Sequence, residues 1–254
     1  MSKKVDILEI GIDKLTESEC VNTIKQALKE TKNIKIFTPN PSILLSARKN
    51  EKMQKILNSS DILIADGIGL IHASKILKDP LPQRLAGIDT GEKILALANQ
   101  EHLSLFILGG TKDNVKKAAE KINEKFTDIK IVGIHHGFFD IDSEYNKKLT
   151  DHINTLNPDI IFVCMGYPKQ ELWIFQNSDK ISSLKLSIGL GGSLDVWSGK
   201  IKRAPRFFRK FNLEWLWRMI RQPGRFVKLT DIPCFYCFIL HQRLKSSNKK
   251  RKKW

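Results

Sequence analysis

Asp66 is the carboxylate best placed for chemistry: it follows the apolar run Ile62–Ala65 directly, and Gly67 and Gly69 leave room beside it. A carboxylate within hydrogen-bond reach of an alcohol can take its proton as the oxygen becomes a nucleophile. The blander alternative, an N-cap for the following helix, stays open on pattern alone. Gly109-Gly110-Thr111, ahead of a helix-like segment, offers the backbone N–H groups and helix N-terminus that a nucleotide diphosphate requires.

Other chemistries fit less well. The spacing of Gly189, Gly191 and Gly192 is not that of a dinucleotide fingerprint, and no P-loop or G-x-S-x-G elbow occurs. Asp140-Ile141-Asp142 has the form of a metal-diphosphate motif, but it precedes Ser143 and a helix, where acids commonly act as caps. His135 and His136 would diverge in a strand, so no metal site is expected. Cys234 and Cys237 form a lone C-x-x-C within the apolar run IPCFYCFIL and are read as embedded side chains.

These residues need a scaffold, and the apolar pattern supplies one. Short runs at Ile34–Phe37, Ile62–Ala65, Leu103–Leu108, Ile129–Val132, Asp159–Met165 and Leu184–Ile188 alternate with amphipathic segments. Among the latter are Ser18–Lys29, Ser42–Leu57 and Val115–Phe126. Such alternation predicts an α/β fold, a Rossmann-like, mostly parallel sheet with helices on both faces. Five runs end in glycine, small or polar residues, at Thr38-Pro39-Asn40-Pro41, Asp66-Gly67, Gly109-Gly110-Thr111, Gly166 to Glu171 and Gly189 to Ser193. Ligands of open α/β sheets bind beyond the carboxyl ends of the strands, so one shared crevice is predicted there.

Charge divides the chain. Of the formal +16, the segment from Lys200 onward carries +15, with 17 Lys or Arg against Glu214 and Asp231. A near-neutral body over 1–198 and a basic amphipathic helical appendage over 199–254 are expected. Such asymmetry calls for a polyanionic partner, nucleic acid or an anionic membrane face. Ala204–Arg225 reads as one helix, opened at Pro205 and stopped at Pro223-Gly224. Arg203, Arg206 and Arg209 recur every three residues, and Arg218, Arg221 and Arg225 follow at three and four, interleaved with Phe207, Phe208, Phe211, Trp215 and Trp217. Basic residues mixed with Trp and Phe on such a helix favour a membrane interface, and arginine forks suit diphosphate oxygens. Lys249–Lys253 add a polybasic end. The opening residues lack a signal-type apolar core and no run of about 18 apolar residues occurs, so neither a leader nor a spanning helix is expected.

In order along the chain stand Thr38-Pro39-Asn40-Pro41, Asp66-Gly67-x-Gly69, Pro82-x-Arg84-x-x-Gly87, Leu108-Gly109-Gly110, Gly166-x-Pro168-Lys169-Gln170-Glu171, Gly191-Gly192-Ser193-x-Asp195, Lys202-Arg203-Ala204-Pro205 and Leu213-Glu214-Trp215. From about Ile10 to Lys228 the sequence resembles the WecG/TagA/CpsF family, glycosyltransferase family 26, and within it the TagA-like N-acetylmannosaminyltransferases. The resemblance implies inverting, metal-independent transfer without a cofactor, from a UDP-sugar to polyprenyl-diphosphate-linked GlcNAc at the cytoplasmic membrane face. N-acetylmannosamine for wall teichoic acid is the first choice of donor sugar; its uronic acid or another hexose is the alternative. By position, the resemblance makes Asp66 the base, has Thr38, Asn40 and Gln170 orient the donor, and gives Arg84 to the diphosphate and Asp195 to the nucleoside. Lys169, Glu171, Gly191 and Gly192 join Gly109 and Gly110 as substrate-binding residues. The expected partners are the donor, the lipid-linked acceptor and an anionic membrane; nucleic acid is not expected, and self-association is left open. The rival readings are a basic nucleic-acid-binding module and a sugar-nucleotide epimerase or hydrolase.

Overall fold

A computed structural model describes residues 2–30, 32–221 and 230–251, without the side chains of 218 and 247–251. The chain opens with an antiparallel hairpin, β1 (Lys4–Ile7) and β2 (Ile10–Asp13), then α1 (Glu17–Ala27). Next come β3 (Ile34–Phe37), α2 (Pro41–Ala47), α3 (Glu51–Asn58), β4 (Ile62–Leu63), α4 (Ile68–Ile76) and α5 (Gly87–Gln100). They are followed by β5 (Ser104–Gly109), α6 (Lys112–Lys125), β6 (Lys130–His135), α7 (Glu144–Thr155), β7 (Ile160–Cys164), α8 (Lys169–Asn177), β8 (Leu186–Gly189) and α9 (Ser193–Trp197). The basic segment holds α10 (Arg206–Lys210), α11 (Glu214–Arg221) and α12 (Asp231–Arg251).

Strands β3 to β8 form one six-stranded sheet in the order β4-β3-β8-β7-β5-β6, every pair parallel. A parallel sheet is buried on both faces, which is why its strands read as unbroken apolar runs. Alternate residues serve two cores. Phe37, Leu63, Phe106, Leu108, Ile161 and Val163 pack with α2, α3, α4, α7, α8 and the hairpin. Ile36, Ile62, Ile107, Phe162 and Ile188 pack with α1, α5, α6 and α9. The helix leaving β3 and the helix leaving β8 therefore lie on opposite faces although the strands are neighbours. Their carboxyl ends mark a topological switch point, the position at which open α/β sheets bind ligands.

The expected α/β sheet with helices on both faces is present, with three differences. The hairpin was not predicted. The predicted helix 42–57 is two helices, because Asn50 caps α3 by accepting from the Met53 N–H at 3.1 Å. The predicted helix 204–225 is broken after Lys210: Asn212 takes φ 58°, and the Leu213 N–H folds back to the Phe208 carbonyl at 2.7 Å. The Pro223-Gly224 stop lies outside the described residues.

The basic segment is not wholly separate from the body. Phe235 and Ile239 of α12 are fully buried in the core beside α2 and α4. Gln242 of the same helix accepts from the Leu8 N–H and donates to Asp6 in the hairpin. Arg48 stacks 3.9 Å from the Phe238 ring centroid. Cys234 and Cys237 are exposed on this helix, so the apolar run IPCFYCFIL is only partly embedded.

Candidate active site

Asp66 stands just beyond β4, its backbone N–H given to the Pro39 carbonyl at 3.0 Å, which sets it against the loop after β3. Helix α4 begins only at Ile68, with Gly67 as its N-cap and no side-chain cap bond. Capping thus does not explain Asp66, whose side chain is half-exposed at 32%. Asn40 does cap: its Oδ1 accepts from the Ile43 N–H at 3.1 Å, opening α2 beside Asp66. Thr38 is buried, and its hydroxyl donates to the Gly189 carbonyl at 2.9 Å, tying the end of β3 to the end of β8.

The other strand ends complete the edge. A side chain at Gly109 would place its Cβ 2.3 Å from the Cys164 carbonyl, so only glycine allows β5 to close against β7 here. Thr111 caps α6, and Asn114 in the first turn donates to Asp195 at 2.7 Å. Asp195 therefore sits at the N-terminus of α6, close to Gly192, with Lys200 at 3.6 Å. Gln170 binds the loops after β7 and β8 together through the Gly166 and Gly191 N–H groups. Lys169 donates to the carbonyls of Gly137, at 2.9 Å, and Phe139, pinning the loop after β6. Glu171 is enclosed, and burial pushes its carboxyl up to about 7.

A network of ions closes the Asp66 end of the edge. Arg84 Nη2 lies 2.5 Å from Glu214 Oε2 and 3.8 Å from Asp66 Oδ1, and Nη1 donates to Asn212 at 3.3 Å. Arg203 pairs with Asp89 and stands 3.7 Å from Glu214 and 4.0 Å from Glu92. Its charge is spent inside the protein, and it precedes α10 rather than sharing a face with Arg206 and Arg209. Arg206 is exposed, Arg209 is half-buried, and Arg221 lies over the Trp217 ring at 5.1 Å. The Arg218 side chain and the whole of Arg225 fall outside the described residues.

Thr38, Asn40, Asp66, Gly109, Gly110, Gln170 and Gly191 thus share the carboxyl edge of the sheet, with Asp195 and Arg84 against it. Glu214 and Asn212 escaped the sequence reading as site residues. The signal was present, since Glu214 is the single acid between Lys200 and Thr230. The remaining candidates have local roles. Asp140 Oδ1 accepts from the Asp142 N–H, and Ser143 caps α7. His135 bonds Tyr145 and the His136 carbonyl, and desolvation holds its pKa down. Among the described residues no group of three His, Cys, Asp or Glu is arranged to hold a metal, and no helix is long and apolar enough to cross a membrane.

Comparison with known proteins adds to this geometry. Residues 5–249 match the model of the glycosyl transferase WecG/TagA/CpsF family. Three relatives from Staphylococcus aureus, strains MW2, COL and N315, are each 37% identical over 234 residues, covering 91% of this chain and 90% of theirs. Each is named N-acetylglucosaminyldiphosphoundecaprenol N-acetyl-beta-D-mannosaminyltransferase.

Proposed function

This chain belongs to the WecG/TagA/CpsF family of glycosyltransferases, and from that premise we propose that it moves N-acetylmannosamine from UDP-N-acetylmannosamine to undecaprenyl-diphosphate-linked GlcNAc. The product begins the linkage unit of wall teichoic acid or a related surface polymer. The observation that carries the reading is the half-exposed Asp66 at the carboxyl edge of the sheet, outside any helix cap and within 3.8 Å of a guanidinium.

In the reaction, Asp66 accepts the proton of the GlcNAc hydroxyl while that oxygen bonds to the anomeric carbon of the donor. Attack comes from the face opposite the diphosphate. The bond from the anomeric carbon to the diphosphate oxygen breaks, UDP departs with the electron pair, and the configuration inverts. Arg84 and arginines of the basic segment balance the charge that grows on UDP, aided by the backbone N–H groups after β5 and β8, without a metal ion. Asn40 and the loops joined by Thr38 and Gln170 shape the donor site, and Asp195 takes the nucleoside.

The acceptor is a lipid, and the protein works as a peripheral enzyme on the inner face of the plasma membrane. Phe207, Phe211 and Trp215 are exposed beside Arg206, Lys210 and Arg221, a mixture suited to an anionic bilayer surface. Exposed Ile220, Leu240 and Leu244 add aliphatic surface. Such surface favours acyl chains over nucleic acid, for which stacking requires aromatic platforms.

A screen of UDP-sugars against a short-chain prenyl-diphosphate-GlcNAc acceptor tests the assignment. The reading requires UDP-N-acetylmannosamine to give the highest kcat/KM. Preference for its uronic acid would keep the reaction and change the donor. Turnover of UDP-sugar that ignores the acceptor would replace it with an epimerase or hydrolase.

A further inference from the structure

Gln170 and Glu171 occupy the first turn of α8 and are almost wholly enclosed, 3% and 1% exposed. Gln170 Oε1 accepts from the Gly166 N–H at 3.2 Å and the Gly191 N–H at 2.8 Å. Its Nε2 donates to Glu171 Oε1 at 2.9 Å. A Cβ at Gly189 would come within 2.9 Å of that same Nε2, so the amide packs directly against the end of β8 where only a glycine leaves it room.

An amide can be flipped, exchanging its oxygen for its nitrogen. Two backbone N–H groups call for oxygen on one side, and the Glu171 carboxyl calls for the NH2 group on the other. Together they fix one orientation and hold the loops after β7 and β8 at a set separation.

The Glu171 carboxyl is satisfied at one oxygen only. Its Oε2 is buried and meets no hydrogen-bond partner among the described residues. A buried oxygen without a donor is destabilising, and this offsets much of what the bond to Gln170 contributes. What the carboxyl does specify is the orientation of the Gln170 amide, and through it the placement of the Gly166 and Gly191 loops.

We propose that Glu171 is a positioning residue for the sugar donor, acting through the Gln170 amide to fix the wall that the Gly166 and Gly191 loops present to the sugar nucleotide. This rests on the transferase reading, in which those loops meet the donor. Glu171 itself touches no substrate.

The test uses the full chain with Glu171→Leu, Glu171→Gln and Glu171→Asp. It measures steady-state kinetics for both substrates, UDP binding by calorimetry, and thermal melts. In Glu171→Leu the donor KM rises roughly tenfold, with kcat and the acceptor KM changed less than about threefold. Glu171→Gln, which keeps an acceptor oxygen for Gln170, returns the donor KM to within about threefold of the parent. An effect confined to the donor KM and reversed by Gln is foreign to a merely structural carboxyl.

An unchanged donor KM in Glu171→Leu overturns the proposal, as does a parallel loss of Tm and of both KM values that Gln does not rescue. Should the Leu protein fail to fold, Glu171→Asp decides, because it withdraws the oxygen from Gln170 while keeping the carboxyl. A raised donor KM supports the proposal, and an unaltered one removes it. Calorimetry separates this proposal from the transferase reading. A parent protein that binds UDP but transfers nothing, with weaker UDP binding in the Leu variant, retains the Glu171 role and discards the reaction. A parent that binds no UDP discards both.

Discussion

Arg84 lies between Glu214 and Asp66: one guanidinium nitrogen is 2.5 Å from the Glu214 carboxylate and 3.8 Å from that of Asp66. Glu214 belongs to the basic segment and Asp66 to the sheet edge, so a single side chain joins the two parts of the molecule at the proposed base. Glu214→Gln removes the charge that holds Arg84 and Arg203. Breaking one side of a buried pair costs on the order of 3 kcal/mol. Urea unfolding of the full chain is therefore expected to show a lowered midpoint, and limited proteolysis faster cleavage after residue 199. An unaltered midpoint would mean that Arg84 is held by its other neighbours.

Asp66→Asn keeps the shape of the side chain and removes its basicity. Transfer should fall by about a thousandfold, within the usual range for a lost general base, while UDP affinity by calorimetry stays within about twofold. Normal transfer by this variant would take the base role away from Asp66.

Glu171 gives the protein a pH signature. Its carboxyl is raised to about 7 in the folded state, from an ordinary value of 4.5, by burial. Between those values the unfolded chain has lost the proton and the folded chain has kept it. Stability therefore falls as pH rises from 4.5 to 7, by a total on the order of 3 kcal/mol, and stays reduced above that window. Glu171→Gln cannot titrate. The difference in urea midpoint between it and the parent should grow in favour of Gln from pH 5 to pH 8, with slopes from all other groups cancelling. A constant difference would place the Glu171 pKa near its ordinary value.

Metal chelation tests how the departing UDP is stabilised. With Arg84, the basic segment and backbone dipoles balancing the charge, transfer after exhaustive EDTA treatment should remain within about twofold of the untreated rate. A loss of tenfold or more, restored by magnesium, would require a metal ion on the diphosphate.

Much of this arrangement was legible because buried parallel strands leave apolar runs, and the site lies where the runs stop. Ile34–Phe37 was read to the residue, and Asp66, Gly109 and Gly166 each follow or close a run. The hairpin of β1 and β2 was not legible in the same way. Val5, Ile7, Ile10 and Ile12 are all buried, but the turn uses Leu8 and Glu9 at positive φ, 55° and 69°. Such turns normally announce themselves with Asn-Gly or Asp-Gly. The break at Asn212 was hidden likewise, since arginines and aromatics continue across it at helical spacing. The partnership of Arg84 with Glu214 spans 130 residues, a separation across which periodicity carries no information.

Membrane attachment is best tested by point variants, since truncation would confound two effects. Ending the chain near Val196 removes the basic segment, but it also strips Phe235 and Ile239 from the core. Loss of a buried phenylalanine alone typically costs about 3–5 kcal/mol. Lost activity in such a protein could therefore report unfolding. Phe207, Phe211 and Trp215 offer a cleaner route, because all three are exposed, at 63%, 56% and 40%, and replacing them leaves the cores untouched. The combined variant Phe207→Ser, Phe211→Ser and Trp215→Ser should melt within a few degrees of the parent and turn over a soluble short-chain acceptor at the parental rate. Its flotation with anionic liposomes should drop by about tenfold or more, as should transfer to undecaprenyl acceptor embedded in them. Equal flotation of variant and parent would move the membrane contact elsewhere, to the exposed Leu240 and Leu244 of α12 or to the lysines at the chain end.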